Sequence, residues 1–143
     1  MNILFFLTPK ANCEVLYDDE SVREALERME RSGYAALPII RKEDGLYHGT
    51  LTDGDILWAL KNRCKFDIKD AQSCSIMEIE HQKDYLPVSV STDMRDLLSK
   101  ALDQNFVPVV DDRGSFIGIV TRKSILAQYS ASIGMDVTLA TGT

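Results

Sequence analysis

The sequence predicts an α+β protein, helices and strands mixed, built from two tandem copies of one β-α-β-β-α unit. Three observations carry that prediction. The stretch "GTLTDGDIL" at 49–57 returns further along the chain as "GIVTRKSIL" at 118–126. Each copy follows a short apolar run that holds a proline, "LPII" and "VPVV", and each of those follows an amphipathic helical pattern. A set of patterns repeated in one order over most of a chain marks a duplicated structural unit.

The elements can be justified in turn. In the first half "DDES" supplies an N-cap and negative charge for a helix start. Val22, Ala25, Leu26 and Met29 then give that helix one buried face, and Gly33 stops it. "AALPII" reads as a strand, "RKEDG" as a turn, "LYHGTLT" as a second strand and "DGDILWALKN" as a second helix. The other half repeats the order. "LPVSV" is strand-like, and Thr92 is placed to cap a helix with Met94, Leu97, Leu98, Ala101 and Leu102 on one face. "FVPVVDDRGSFIGIVT" reads as a strand pair, and a last helix begins near "RKSILAQY". The span from Pro38 to Gly49 is one residue longer than that from Pro108 to Gly118, and the extra residue is expected in a turn. The predicted organisation is a first repeat at 8–64, a linker at 65–83, a second repeat at 84–130 and a small, polar tail at 131–143.

Composition narrows the function classes. The chain has 143 residues, 45% of them hydrophobic, so one compact domain with a real core is expected. Its longest apolar run near the start, Ile3 to Leu7, is far short of a membrane span and lacks a signal-peptide pattern, which predicts a cytoplasmic protein without membrane contact. Cys13, Cys64 and Cys74 have neither the number nor the spacing of a disulfide framework or zinc site. A net charge of −6 and a pI near 4.9 disfavour a binder of nucleic-acid polymers, so any phosphate must sit in a local basic site. His48 and His81 are expected in exposed loops, with no metal site near them. No nucleophile with its base is identifiable, and the chain is not expected to be an enzyme.

The recurring segment admits two readings. Unpaired N–H groups at a helix start suit a phosphate, Thr52 adds a hydroxyl, and Asp55 one turn on can accept both hydroxyls of a ribose. Alternatively, Thr52 caps the helix and Asp55 complements its dipole, with no ligand involved. In the same helix Ile56, Leu57 and Leu60 share a face while Trp58 and Ala59 lie on the flank, which predicts burial on several sides. Either a second chain or one of the chain's own tails is expected to cover Trp58.

Taken together, "LPII" and "VPVV", the turns "EDG" and "DDRG", and the two Gly-x-hydrophobic-Thr junctions resemble the cystathionine β-synthase (CBS) domain pair, or Bateman module, over roughly residues 8 to 130. The resemblance implies two repeats around a pseudo-twofold axis and two clefts that in the family often bind adenine nucleotides. It places Thr52, Asp53 and Asp55 with Pro87, Val88, Phe106 and Val107 in a first cleft. A second would take Thr121, Arg122, Lys123 and Ser124 with Asn12, Glu14, Leu16, Tyr34, Ala35 and Ala36. Ser124 departs from the family pattern, which has Asp there. Two carboxylates then suit the first cleft to a nucleoside or monophosphate, and Arg122 with Lys123 suit the second to a more phosphorylated ligand. The loss of the ribose acid at Ser124 leaves open instead that the second cleft is empty.

"SGYAALP", "NFVPVV" and "TRKSIL" are also similar to stand-alone bacterial CBS pairs, some of which are cyclic di-AMP receptors. There a basic pair like Arg122 and Lys123 holds phosphates, whereas Glu14 brings negative charge to that site. The family's dimer contacts would fall on Ile56, Trp58, Leu60, Ile125 and Tyr129, joining two modules into a disc. The function so implied is sensing of an adenosyl nucleotide (AMP, ADP, ATP, S-adenosylmethionine or cyclic di-AMP) by a homodimer that signals to a separate effector protein. The nucleotide is a regulatory ligand, and no cofactor is required. The alternative is a structural or interaction protein with vacant clefts.

Overall fold

The computed structural model describes residues 2–62, 73–132 and 134, so Cys64, the first part of the expected linker and most of the tail lie outside the described residues. Its elements, in chain order, are β1 (Leu7–Pro9), β2 (Leu16–Tyr17), α1 (Val22–Ser32), β3 (Ala36–Ile40), β4 (Tyr47–Thr52), α2 (Asp53–Asn62), β5 (Val88–Ser89), α3 (Met94–Asp103), β6 (Phe106–Val110), β7 (Phe116–Thr121) and α4 (Arg122–Ser132). Tandem β-α-β-β-α repeats of mixed helix and strand are therefore present. In place of one core there are two compact units, one comprising 14–85 with 113–116 and the other 1–13, 86–112 and 117–143. No helix among the described residues is long and apolar enough to cross a membrane.

The first unit holds the sheet β2-β3-β4, with β2 parallel and β4 antiparallel to β3. Its core gathers Leu16, Val22, Ala25, Leu37, Ile39, Leu51 and Ile56 from the sheet, α1 and α2. Helix α1 is fixed at both ends. Ser21 and Glu24 exchange side-chain and backbone hydrogen bonds in a capping box, and Gly33 closes the helix at φ 77°, where a Cβ would be strained. The extra residue of the first hairpin is not in the turn, as expected, but inside the strand. Ile39 pairs with Gly49 and Ile40 with Tyr47, so His48 is left over as a β-bulge.

The second unit holds the sheet β1-β7-β6-β5 over a core of Ile3, Phe6, Val88, Leu97, Ala101, Val107, Val109 and Val120. Helix α3 is capped by Asp93, whose carboxylate accepts the Asp96 N–H at 2.9 Å, and not by Thr92. The Thr92 hydroxyl instead accepts the Ser89 N–H at 3.0 Å, which ties down the end of β5. An ionised acceptor one residue later is the better cap, because it reaches the third helical amide with charge.

Each unit is completed by a segment outside the repeat pattern. Ahead of β1, Ile3–Phe6 forms a 3-10 turn capped by Asn2, with Ile3 and Phe6 buried in the second core. Ile76–Glu78 forms the same turn, capped by Ser75, with Ile76 and Ile79 buried in the first core. Beyond these turns the chain crosses the recurring glycine of each unit. A Cβ on Gly118 would lie 2.2 Å from the Thr8 carbonyl oxygen, so only glycine lets β1 pair with β7 there. The equivalent Gly49 has the imidazole of His81 above it, 3.6 Å from where a Cβ would stand.

Within one chain and among the described residues, α2 is buried on one side. Asp55 and Ile56 are its buried residues, Leu60 packs partly on the core, and Leu57 and Trp58 remain 63% and 42% exposed. The Lys61 ammonium lies 4.7 Å from the Trp58 ring centre, a contact that a half-exposed indole can make without being covered. In α4, Ile125 packs on the second core while Leu126 and Tyr129 are exposed.

Candidate functional site

The two strand-to-helix junctions share one construction. At the end of β4 the Thr52 hydroxyl accepts the Asp55 N–H at 3.0 Å, and the Asp55 carboxylate accepts the Thr52 N–H at 2.9 Å. This reciprocal pair satisfies two backbone donors at the start of α2. At the end of β7 the Thr121 hydroxyl accepts the Ser124 N–H at 3.0 Å and meets the Ser124 hydroxyl at 2.7 Å. The threonine cap is thus retained, and the returning acid is replaced by a hydroxyl.

Asp55 is the most engaged side chain of the site. It is 1% exposed, and its second oxygen accepts the Gln82 N–H at 2.8 Å. His81 Nδ1 stands 3.5 Å from the oxygen that Thr52 also holds. Burial works to raise the Asp55 pKa, but the bonds from His81, Gln82 and Thr52 outweigh it and leave it below the ordinary carboxylate value. The Asp55 carboxylate beside it raises the His81 pKa against the opposing pull of burial, with further help from the Thr50 backbone and from Asp84. His81 is therefore not the exposed loop residue expected, whereas His48 on the bulge is exposed. Nearby, the Tyr47 hydroxyl bonds the Thr50 hydroxyl at 2.8 Å and donates to the Tyr85 carbonyl at 2.9 Å, and burial pushes its pKa up.

Arg122 at the second junction turns back toward α3. Its guanidinium donates to the carbonyls of Ala101, Leu102 and Gln104, neutralising the negative end of that helix. Lys123 is exposed beside it, as is Asp53 at the first junction. Of the remaining predicted site residues in the first unit, Tyr34 is exposed and Ala35 accepts the Asp53 N–H through its carbonyl at 2.8 Å. Glu14 is paired with Arg31 at 3.1 Å. Ala36 is buried and Leu16 is sealed in the core, where it shapes the sheet and offers no surface. In the second unit Asn12 and Pro87 are exposed, while Val88, Phe106 and Val107 are buried. His81 and Gln82 were missed by sequence reasoning. Their one signal is the Ser75-Ile76-x-x-Ile79 pattern, which echoes Asn2-Ile3-x-x-Phe6.

Duplicated β-α-β-β-α units with a threonine-capped helix after the last strand define a tandem module built from one repeated domain. The CBS domain family matches residues 7–62 and again 76–131, and the chain belongs to that family as a tandem pair. Among solved structures it is similar to a CBS domain protein from Streptococcus pneumoniae TIGR4, with 30% identity, a TM-score of 0.79, and 90% of this chain and 86% of that one covered. It is also similar to CBSX2 in complex with AMP, with 26% identity, a TM-score of 0.72, and 93% and 98% of the two chains covered. CbpB in complex with c-di-AMP shares the fold at a TM-score of 0.82, with 24% identity and 94% and 87% covered. No curated protein matches the sequence.

Proposed function

We propose that this CBS pair is a regulatory module that binds an adenosyl nucleotide at its two strand-to-helix junctions and signals to a separate protein. The observation that carries the reading is the pair of threonine-capped helix starts, Thr52–Asp55 and Thr121–Ser124, each presenting a hydroxyl and the positive end of a helix. The AMP bound to CBSX2 supports an adenosyl ligand, and Lys123 supports phosphate recognition at the second junction. The function is regulatory and not catalytic. The exposed Leu57 and Trp58 on α2, with Leu126 and Tyr129 on α4, are proposed as the faces of a homodimer.

A thermal-shift panel with AMP, ADP, ATP, S-adenosylmethionine and cyclic di-AMP tests the reading on the wild type, Asp55→Asn and Lys123→Ala. A ligand at about 100 times its Kd stabilises the fold by about 2.7 kcal/mol, a shift of several degrees. A shift with one ligand that is lost in one variant bears the reading out. Unchanged melting with all five favours an interaction protein with vacant sites.

A further inference from the structure

Asp55, the acid that the sequence offers to a ribose at the first junction, is already occupied by the protein itself. Both Asp55 oxygens hold N–H groups, one from Gln82 at 2.8 Å and one from Thr52 at 2.9 Å, and His81 Nδ1 stands 3.5 Å away. That nitrogen is sealed from solvent and has no other partner. The strap from Ser75 to Gln82 that delivers these groups is anchored separately, by Ile76 and Ile79 in the core of the first unit. His81 and Gln82 can therefore leave Asp55 without unfolding the strap.

The second unit lacks the contact at both of its ends. Matching Ile3 and Phe6 with Ile76 and Ile79 sets Thr8 against His81 and Pro9 against Gln82. Proline has no N–H to give, and Ser124 stands where Asp55 would receive it. Donor and acceptor are thus present together in one unit and absent together in the other, which a cap needed simply to start the helix does not explain, since Thr121 starts α4 without them.

We infer that His81 and Gln82 form a proton-gated latch, an internal ligand that occupies the carboxylate a ribose diol would use. The inference about occupancy rests on the nucleotide reading; the latch itself does not. Two acids act on the imidazole, Asp55 from α2 at 3.5 Å and Asp84 from the chain just past the strap, while β4 offers the Thr50 backbone and Gly49. Glu80 and Lys83 flank the pair in sequence. An imidazolium donates to both Asp55 and Thr50, and a neutral ring can donate to one of them at most. The latch is closed while Asp55 is ionised and His81 is protonated, and opens as pH rises through the raised pKa of His81.

The test is an NMR titration of the full chain from acid to alkaline pH, following the His81 imidazole and the exchange of the Gln82 amide. Expected is a His81 midpoint above the ordinary imidazole value of 6.5. The protection of Gln82 should fall at least tenfold beyond the ordinary pH effect as His81 deprotonates. His81→Gln should remove that protection at every pH, and the wild-type titration decides alone if this variant folds poorly. In parallel, AMP should bind the wild type severalfold more tightly above the His81 midpoint, and His81→Gln equally at both. A His81 that titrates at or below 6.5, a Gln82 amide indifferent to it, or AMP bound while Gln82 stays protected overturns the latch. Opening of Gln82 with no AMP binding to either protein upholds the latch and counts against the nucleotide reading instead.

Discussion

Replacing Asp55 with alanine removes one carboxylate and strands several groups at once. The Thr52 and Gln82 N–H groups lose their acceptor, and His81 loses the charge it faces. A buried donor left without a partner costs about 1–3 kcal/mol, so the two amides together cost about 2–6 kcal/mol. For a chain of this size that lowers Tm by about 10 °C. Asp55→Asn keeps one acceptor oxygen and should cost about half as much. Ser124→Ala at the matching position should cost less than about 1 kcal/mol, because Thr121 still accepts the Ser124 backbone N–H there. The assay is a urea titration at pH 6 with m compared across the variants, so that a change in midpoint reads as a change in stability. Equal costs for Asp55→Ala and Ser124→Ala, or a loss below about 1 kcal/mol for Asp55→Ala, would refute the reasoning.

Other consequences follow from the same geometry. His81, with its pKa raised from 6.5, contributes stability that is full below that value and lost as pH rises through the folded one. Asp55, lowered from 3.8, contributes stability present above that value and lost as pH falls through its folded one. Their joint contribution therefore peaks between those two values, and His81→Gln should flatten the alkaline side alone in a pH series of urea melts. Gly118→Ala should cost about 2 kcal/mol or more and release β1, read as lost hydrogen-exchange protection at Thr8, because a Cβ there cannot coexist with the Thr8 carbonyl. Arg122→Ala strips a charge from the last carbonyls of α3 and should cost about 1–2 kcal/mol in the same urea assay. If α2 and α4 form the dimer faces, Trp58→Asp should reduce the mass in sedimentation equilibrium to the 16.0 kDa of one chain at micromolar concentration.

The repeats were legible because their signals are local and doubled. "DGDILWALKN" occupies α2 over the residues expected, and Gly33 ends α1 as its position implies. The lead-in turns at Ile3 and Ile76 were not legible, since a 3-10 turn of three or four residues has too few positions to show a period. The bulge at His48 was misplaced to the turn because an extra residue carries no mark of where the register absorbs it. Thr52 and Asp55 were picked out from spacing, yet their partners His81 and Gln82 come from a distant segment with no motif of its own. Arg122 stands out for phosphate from its neighbourhood in sequence, which carries no sign that its long side chain reaches the end of α3.

The most direct test of the account is an AMP titration of isotope-labelled protein followed at the backbone amides. The account predicts saturable shifts at residues 52–55, at 121–124, or at both, accompanied by Gln82 when the first group moves. Saturation with those amides unmoved, or no response up to millimolar AMP, would contradict it.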